Sequence, residues 1–207
     1  MAKSNFKFGI IRPFMKDEQQ MINRYANENE NTLSMLNYPH IKLNSYETHT
    51  VASVAMRGLS LNGWTCEQTY KWWQDYRKHY STLYPGSCSA NVLCGPKIFA
   101  RVWNQLKEWL PYHQDRMAER RWYYMNITDW EGKKRKWYFD SPNDESAVQY
   151  FYHHALNDYD LNGYHSLYAV EWNGQEFKNA RKVAKSTIYN RMERERNNRR
   201  VQYEAMA

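Results

Sequence analysis

Between Pro96 and Pro111, seven apolar residues fall at helical spacing: Ile98, Phe99, Val102, Trp103, Leu106, Trp109 and Leu110. That spacing lays a broad apolar stripe along one side of an α-helix. Pro96 suits the first turn of such a helix, and Pro111 kinks or ends it. Beyond Pro111 the period drops to two. Tyr123, Met125 and Ile127 alternate with Trp122, Tyr124 and Asn126. A chain that changes period in this way commits to helices before the change and to a sheet after it, which defines an α+β class.

Other segments fill in that outline. Phe6, Phe8 and Ile10 read as a short strand ended by Pro13, and Lys16 to Leu36 as a helix that the polar run Asn27 to Asn31 is able to split. Ser45 to Leu61 reads as a second helix stopped by Asn62-Gly63. Thr65 and Gln68 have capping-box spacing, and the helix they open carries Tyr70, Trp73, Tyr76 and Tyr80 as far as Pro85-Gly86. Ser87 to Gly95 reads as a linker. The strand from Lys133 to Phe139 completes a hairpin with residues 122–127. Ser141, Pro142, Asp144 and Glu145 read as a capped helix start, with Ala147, Val148, Phe151, Ala155 and Leu156 as its apolar face. Tyr164 to Trp172 reads as another strand, and Asn173-Gly174 as a turn. From Phe177 onward, Ala180, Val183, Ala184, Thr187, Ile188 and Met192 read as the narrow stripe of a final helix. The expected organisation is a mainly helical region over 1–118, a ββαβ unit over 119–176 and a basic helix or tail over 177–207.

Charge is unevenly placed. The net charge is +7, yet nine basic residues and only two acidic ones lie between Lys178 and Arg200, leaving 20 of each sign elsewhere. Such a basic arm points to an acidic partner. Its cations are Lys178, Arg181, Lys182, Lys185, Arg191, Arg194, Arg196, Arg199 and Arg200. Neutralised phosphates release counterions, so a cluster of this kind binds nucleic acid without reading sequence. The plainer reading is a solvated helix with internal pairs such as Glu195 with Arg199.

The hairpin is a second candidate. Lys133, Lys134, Arg135 and Lys136 follow its turn, with Arg116, Arg120 and Arg121 before it and Trp130, Trp137 and Tyr138 interleaved. Alternation puts Lys134 and Lys136 on one face and Lys133 and Arg135 on the other. Basic and aromatic residues mixed on a sheet grip phosphates and stack bases, while the plainer reading is an edge strand protected by lysines. The run Ile127-Thr128-Asp129-Trp130-Glu131-Gly132-Lys133-Lys134-Arg135-Lys136, followed by Phe139, Ser141 and a helix with Glu145 and Ala147, resembles the arm-binding domains of tyrosine recombinases. In that family a small sheet enters the DNA major groove. Those domains have three strands before the helix where two are evident here, and nothing in the chain resembles the recombinase catalytic domain.

Several classes find no support in the sequence. His153, His154, Asp158, Asp160 and His165 lack metal-site spacing, since adjacent histidines on a helix point about 100° apart. Asp129, Glu131 and Lys133 mimic a nuclease order but fall in a turn, where such residues are ordinary. Neither a phosphate-cradling glycine loop nor a nucleophile motif is present. Cys66, Cys88 and Cys94 read as free thiols in a reducing compartment, and no cofactor is implied. No apolar run is long enough to span a bilayer, and Met1 to Phe14 lacks the features of a secretory signal.

The expectation is therefore a non-enzymatic nucleic-acid-associated protein, with DNA ahead of RNA, in the cytoplasm of a cell. Small size, the lack of housekeeping motifs and a content of 18 Tyr and 9 Trp fit a phage or mobile-element accessory protein. The main rival is a viral scaffolding or capsid-assembly protein, virion-associated and self-associating, whose tail meets nucleic acid or an acidic shell protein. A third reading is an inhibitor of a host nucleic-acid enzyme.

Overall fold

The computed structural model describes residues 12–83, 92, 94–128, 131–157 and 165–186, with backbone alone for 80–83, 155–157 and 186. The mixed class holds: helices and antiparallel sheets occur in two compact units, Met1–Ala118 and Glu119–Ala207. The expected strand at Phe6 to Ile10 lies outside the described residues, as does most of the linker at Ser87 to Gly95.

In the first unit, α1 covers Lys16–Glu28, and a small hairpin pairs β1 (Ser34–Met35) with β2 (Tyr38–Lys42). The helix expected to reach Leu36 stops at Glu28, because the asparagine run supplies a better ending. The Asn29 side chain donates to the Tyr25 carbonyl, and Asn31 takes a left-handed φ of 58°. Asn adopts that conformation more readily than most residues. α2 (Ser45–Met56) opens on a reciprocal box in which Asn44 and Glu47 exchange side-chain and backbone bonds of 2.9 Å. The segment expected to continue as α-helix widens into a π-helical stretch over Arg57–Asn62 and closes at Gly63 with φ 60°. Gly58 is required there, since a Cβ would sit 2.0 Å from the Thr69 hydroxyl. α3 (Cys66–Leu83) begins with the expected Thr65–Gln68 box. α4 (Pro96–Trp109) and α5 (Pro111–Ala118) follow.

The core of this unit comes from the apolar stripes of α1, α2 and α4. Met21, Ile22 and Tyr25 meet Val51, Ala52 and Met56, with Phe99, Val102 and Leu106 of α4 completing it. The fully buried carboxylate of Glu18 is well held. Glu18 takes a two-pronged pair from Arg12 at 2.8 Å, the Met15 amide at 2.6 Å and the Ser60 hydroxyl. A buried charge needs that many donors to offset its lost hydration.

The described residues of the second unit form a four-stranded antiparallel sheet with one helix. In chain order its elements are β3 (Arg121–Thr128), β4 (Lys134–Ser141), α6 (Asp144–Asn157), β5 (His165–Trp172) and β6 (Phe177–Ser186); in space the strands run β4-β3-β5-β6. α6 starts later than expected. Ser141 ends β4, and Asn143 is the residue whose side chain caps, accepting from the Ser146 amide at 2.8 Å. Ala147 and Phe151 of α6 close over Tyr123, Met125, Ile127 and Leu167.

The largest correction is β6. The residues read as the first half of a basic helix form an edge strand instead. The Asn173-Gly174 turn folds the chain back: Gly174 has φ 95°, and the Asn173 side chain accepts from the Gln175 and Glu176 amides at 2.9 Å. The returning chain pairs with the backbone along the edge of β5. Two register shifts explain the misleading stripe. One spans Asn179, whose φ is 54°, and the other falls at Val183. Each bulge adds a residue and breaks the alternation, so Val183 and Ala184 both pack toward the α6 core. A bulged strand thereby imitates the spacing of a helix.

Candidate nucleic-acid interface

Because side chains alternate across a strand, the sheet has two distinct faces. Tyr123, Met125, Ile127, Phe139 and Leu167 point to α6. Their neighbours point the other way, and strand register lines them up in rows. One row crosses all four strands as Tyr138, Tyr124, Tyr168 and Lys182. The next crosses them as Lys136, Asn126, Ser166 and Lys185. Lys134 opposite Thr128 extends the β4 edge by one more row.

The tyrosine row is tightly assembled. Tyr124 stacks on Tyr168 with centroids 4.9 Å apart and rings 11° from parallel, and it meets Tyr138 at 5.5 Å. The Lys136 ammonium lies 4.9 Å from the Tyr124 ring centroid, a favourable cation–π distance. Burial pushes the Tyr124 phenol above its ordinary pKa, and the neighbouring Tyr168 and Tyr138 phenols add to that. At the other end of the face Phe177 folds inward, stacked on Tyr138 at 4.5 Å and against Trp122 and Trp172. That aromatic lid explains why Trp122 is buried on the face opposite α6.

The structure places the expected cations unequally. Lys134, Lys136, Lys182 and Lys185 share the sheet face opposite α6 and are all exposed. Asp140, on the same side of β4, is engaged by Arg120. Arg135 sits on the α6 side opposite Ile127. Arg181 also falls on that side, and its guanidinium binds the Asp144 carboxylate at 2.7 Å. Arg181 and the Tyr123 hydroxyl together hold Asp144 below the usual carboxylate range. Lys133 and Lys178 pair with the neighbouring Glu131 and Glu176. Arg191, Arg194, Arg196, Arg199 and Arg200 lie outside the described residues.

The sequence reading treated the hairpin and the C-terminal segment as separate candidates. It missed that β4 and β6 are the two edges of one sheet, and that Tyr168, Asn126 and Ser166 lie between them. The period-two patterns of β3 and β5 carried a partial signal, but their register did not follow from either strand alone.

The remaining candidates do not assemble. His165 is buried, and its Nδ1 accepts from the Thr128 amide at 3.2 Å. His154 packs on Tyr150 at 4.2 Å instead. Asp158, Asp160 and Asp129 lie outside the described residues. Among the described residues, no group of three or more His, Cys, Asp or Glu side chains is placed to hold a metal ion. Cys66 and Cys94 are free thiols, and burial pushes Cys94 up to about 12, far from a reactive thiolate; Cys88 lies outside the described residues. Among the described residues, no helix is long and apolar enough to cross a membrane.

Comparison with known proteins returns no match: no family model, no curated protein and no solved structure is similar to this chain. The hairpin's resemblance to recombinase arm-binding domains therefore gains no support. The strand order differs too, since among the described residues of the second unit two strands precede α6 and two follow it.

Proposed function

We propose that this chain is a non-enzymatic nucleic-acid-associated binding protein, and that its sheet unit grips the polyanion on the face opposite α6. The observation that carries this reading is the convergence of Lys134 and Lys136 from one edge strand with Lys182 and Lys185 from the other. They frame a tyrosine row. Phenols and ammonium groups are suited to phosphate contacts, and a sheet fixes them at regular spacing. The test is a titration of labelled nucleic acid with the full chain at several salt concentrations. Log affinity should fall linearly with log salt, as counterion release requires. Binding that is absent down to low ionic strength overturns the reading.

A second reading, self-association as in a scaffolding protein, draws on a different surface. On the β1–β2 hairpin of the first unit, Leu36, Tyr38 and Ile41 are 39%, 53% and 44% exposed. Apolar side chains gathered on one hairpin are common at protein contacts. Sedimentation without nucleic acid separates the readings: ordered higher oligomers favour the scaffold, and a monomer or dimer favours the binder.

A further inference from the structure

We propose that the sheet face opposite α6 binds double-stranded nucleic acid by lying across its two phosphate backbones, independently of sequence, rather than by stacking the bases of a single strand. The inference rests on the polyanion reading above and adds the form of the partner.

Two features of the face lead to it. The first concerns the rings. A single strand is held on open aromatic faces, one base per ring. Here Tyr124 and Tyr138 are already engaged. Tyr124 has Tyr168 stacked on it and the Lys136 ammonium over its ring, and Tyr138 is stacked on Phe177. A base arriving on either ring would have to displace those contacts.

The second feature is the arrangement of charge. The lysines form two lines, one on each edge strand, with the uncharged Asn126 and Ser166 between them. Lys136 and Lys185 lie in one row, three strand spacings apart, which is about 14 Å. That separation is comparable with the ~12 Å width of a B-form major groove, whose walls are two phosphate backbones. A single strand has one backbone and would leave one line of lysines without phosphate. A two-stranded ribbon fits inside that groove, but four strands with side chains are too wide to enter. The sheet would therefore bridge the groove from above, where contacts are to phosphate and carry no base readout.

The experiment uses the full chain with a fluorescent mixed-sequence DNA duplex of about 20 bp, a scrambled duplex, and one isolated strand. The duplex should bind at least tenfold more tightly than the strand at the same salt, and the scrambled duplex within twofold of the first. Lys136→Gln and Lys185→Gln, both exposed strand positions, should each weaken duplex binding and each lower the salt slope by about 1. Together they should lower it by about 2. Equal affinity for strand and duplex, or an effect of Lys136→Gln with none from Lys185→Gln, overturns the two-backbone geometry while the polyanion reading survives. Unchanged duplex binding in the double variant overturns the use of this face. Failure to bind either probe at low salt overturns both readings.

Discussion

The two faces of the four-stranded sheet are built from the same strands and meet opposite demands. On the α6 side, Phe151 and Ala147 seal Tyr123, Met125, Ile127 and Leu167 from water, and the cation that falls there, Arg181, is bound to Asp144. On the other side aromatic rings cover one another at one end, while exposed lysines from both edge strands line the other. Alternation alone assigns residues to these roles. Arg181 and Lys182 are adjacent in sequence, yet one ties the helix to the sheet and the other faces away from it. Counting positive residues along the chain therefore overstates what is available to a partner.

The comparison makes its largest claim about stability. Phe151→Ala should cost about 3–5 kcal/mol, since a fully buried ring leaves a cavity that the sheet and helix cannot close. Urea denaturation followed by tyrosine fluorescence measures it, and a loss under 1 kcal/mol would mean that α6 does not hold this face. Next in size is the turn that brings β6 onto the sheet. Gly174→Ala forces a Cβ into the left-handed region and should cost roughly 1–2 kcal/mol. Because β6 supplies Lys182 and Lys185, the same substitution should weaken nucleic-acid binding. Full binding by a destabilised Gly174→Ala chain would detach the lysine rows from the strand that presents them.

Much of this architecture is legible in the sequence, and the failures share a cause. The α4 stripe, the Thr65–Gln68 box and the alternation in β3 depend on neighbours in sequence, so local periodicity reveals them. The β6 segment depends on a partner strand and on bulges at Asn179 and Val183, which convert an alternating pattern into a helical one. Ser141 looks like a cap by residue type, but it is needed as the last residue of β4 opposite Arg121. The candidate site was half legible for the same reason. Its lysines stood out by charge, whereas the row linking Tyr138 to Tyr168 exists only once β3 is placed between β4 and β5.

A pair of substitutions sharpens the contrast between the faces with a smaller effect. Arg181→Ala should lower stability slightly, since its pair with Asp144 is solvent-accessible and screened by salt, and should leave duplex affinity unchanged. Lys185→Ala should do the reverse, leaving the urea midpoint in place and weakening duplex binding about threefold. Thermal unfolding and anisotropy on the same two preparations check this. A loss of binding from Arg181→Ala equal to that from Lys185→Ala would mean that the partner reaches both faces.

The smallest effect is in the pH dependence contributed by the α6 face. Hydrogen bonds from Arg181 and Tyr123 keep Asp144 below its ordinary value of 3.8. Its contribution is therefore fully present above that value and is lost as pH falls through the lower folded value. Tyr123 behaves in the opposite sense. Burial, with Asp144 beside it, pushes its phenol up to about 12, so stability tied to the neutral ring is full below 10 and drains away as pH rises toward 12. Asp144→Asn should flatten the acid limb of the urea midpoint between about pH 2 and pH 5. It should also shorten the alkaline limb, because without the carboxylate the folded Tyr123 value falls toward its ordinary 10 and less stability is lost as pH rises. Lys136→Gln, on the other face, should leave both limbs where they are. An acid limb unchanged by Asp144→Asn would show that the Arg181–Asp144 contact does not persist in solution, and Arg181 would then count among the cations open to a partner.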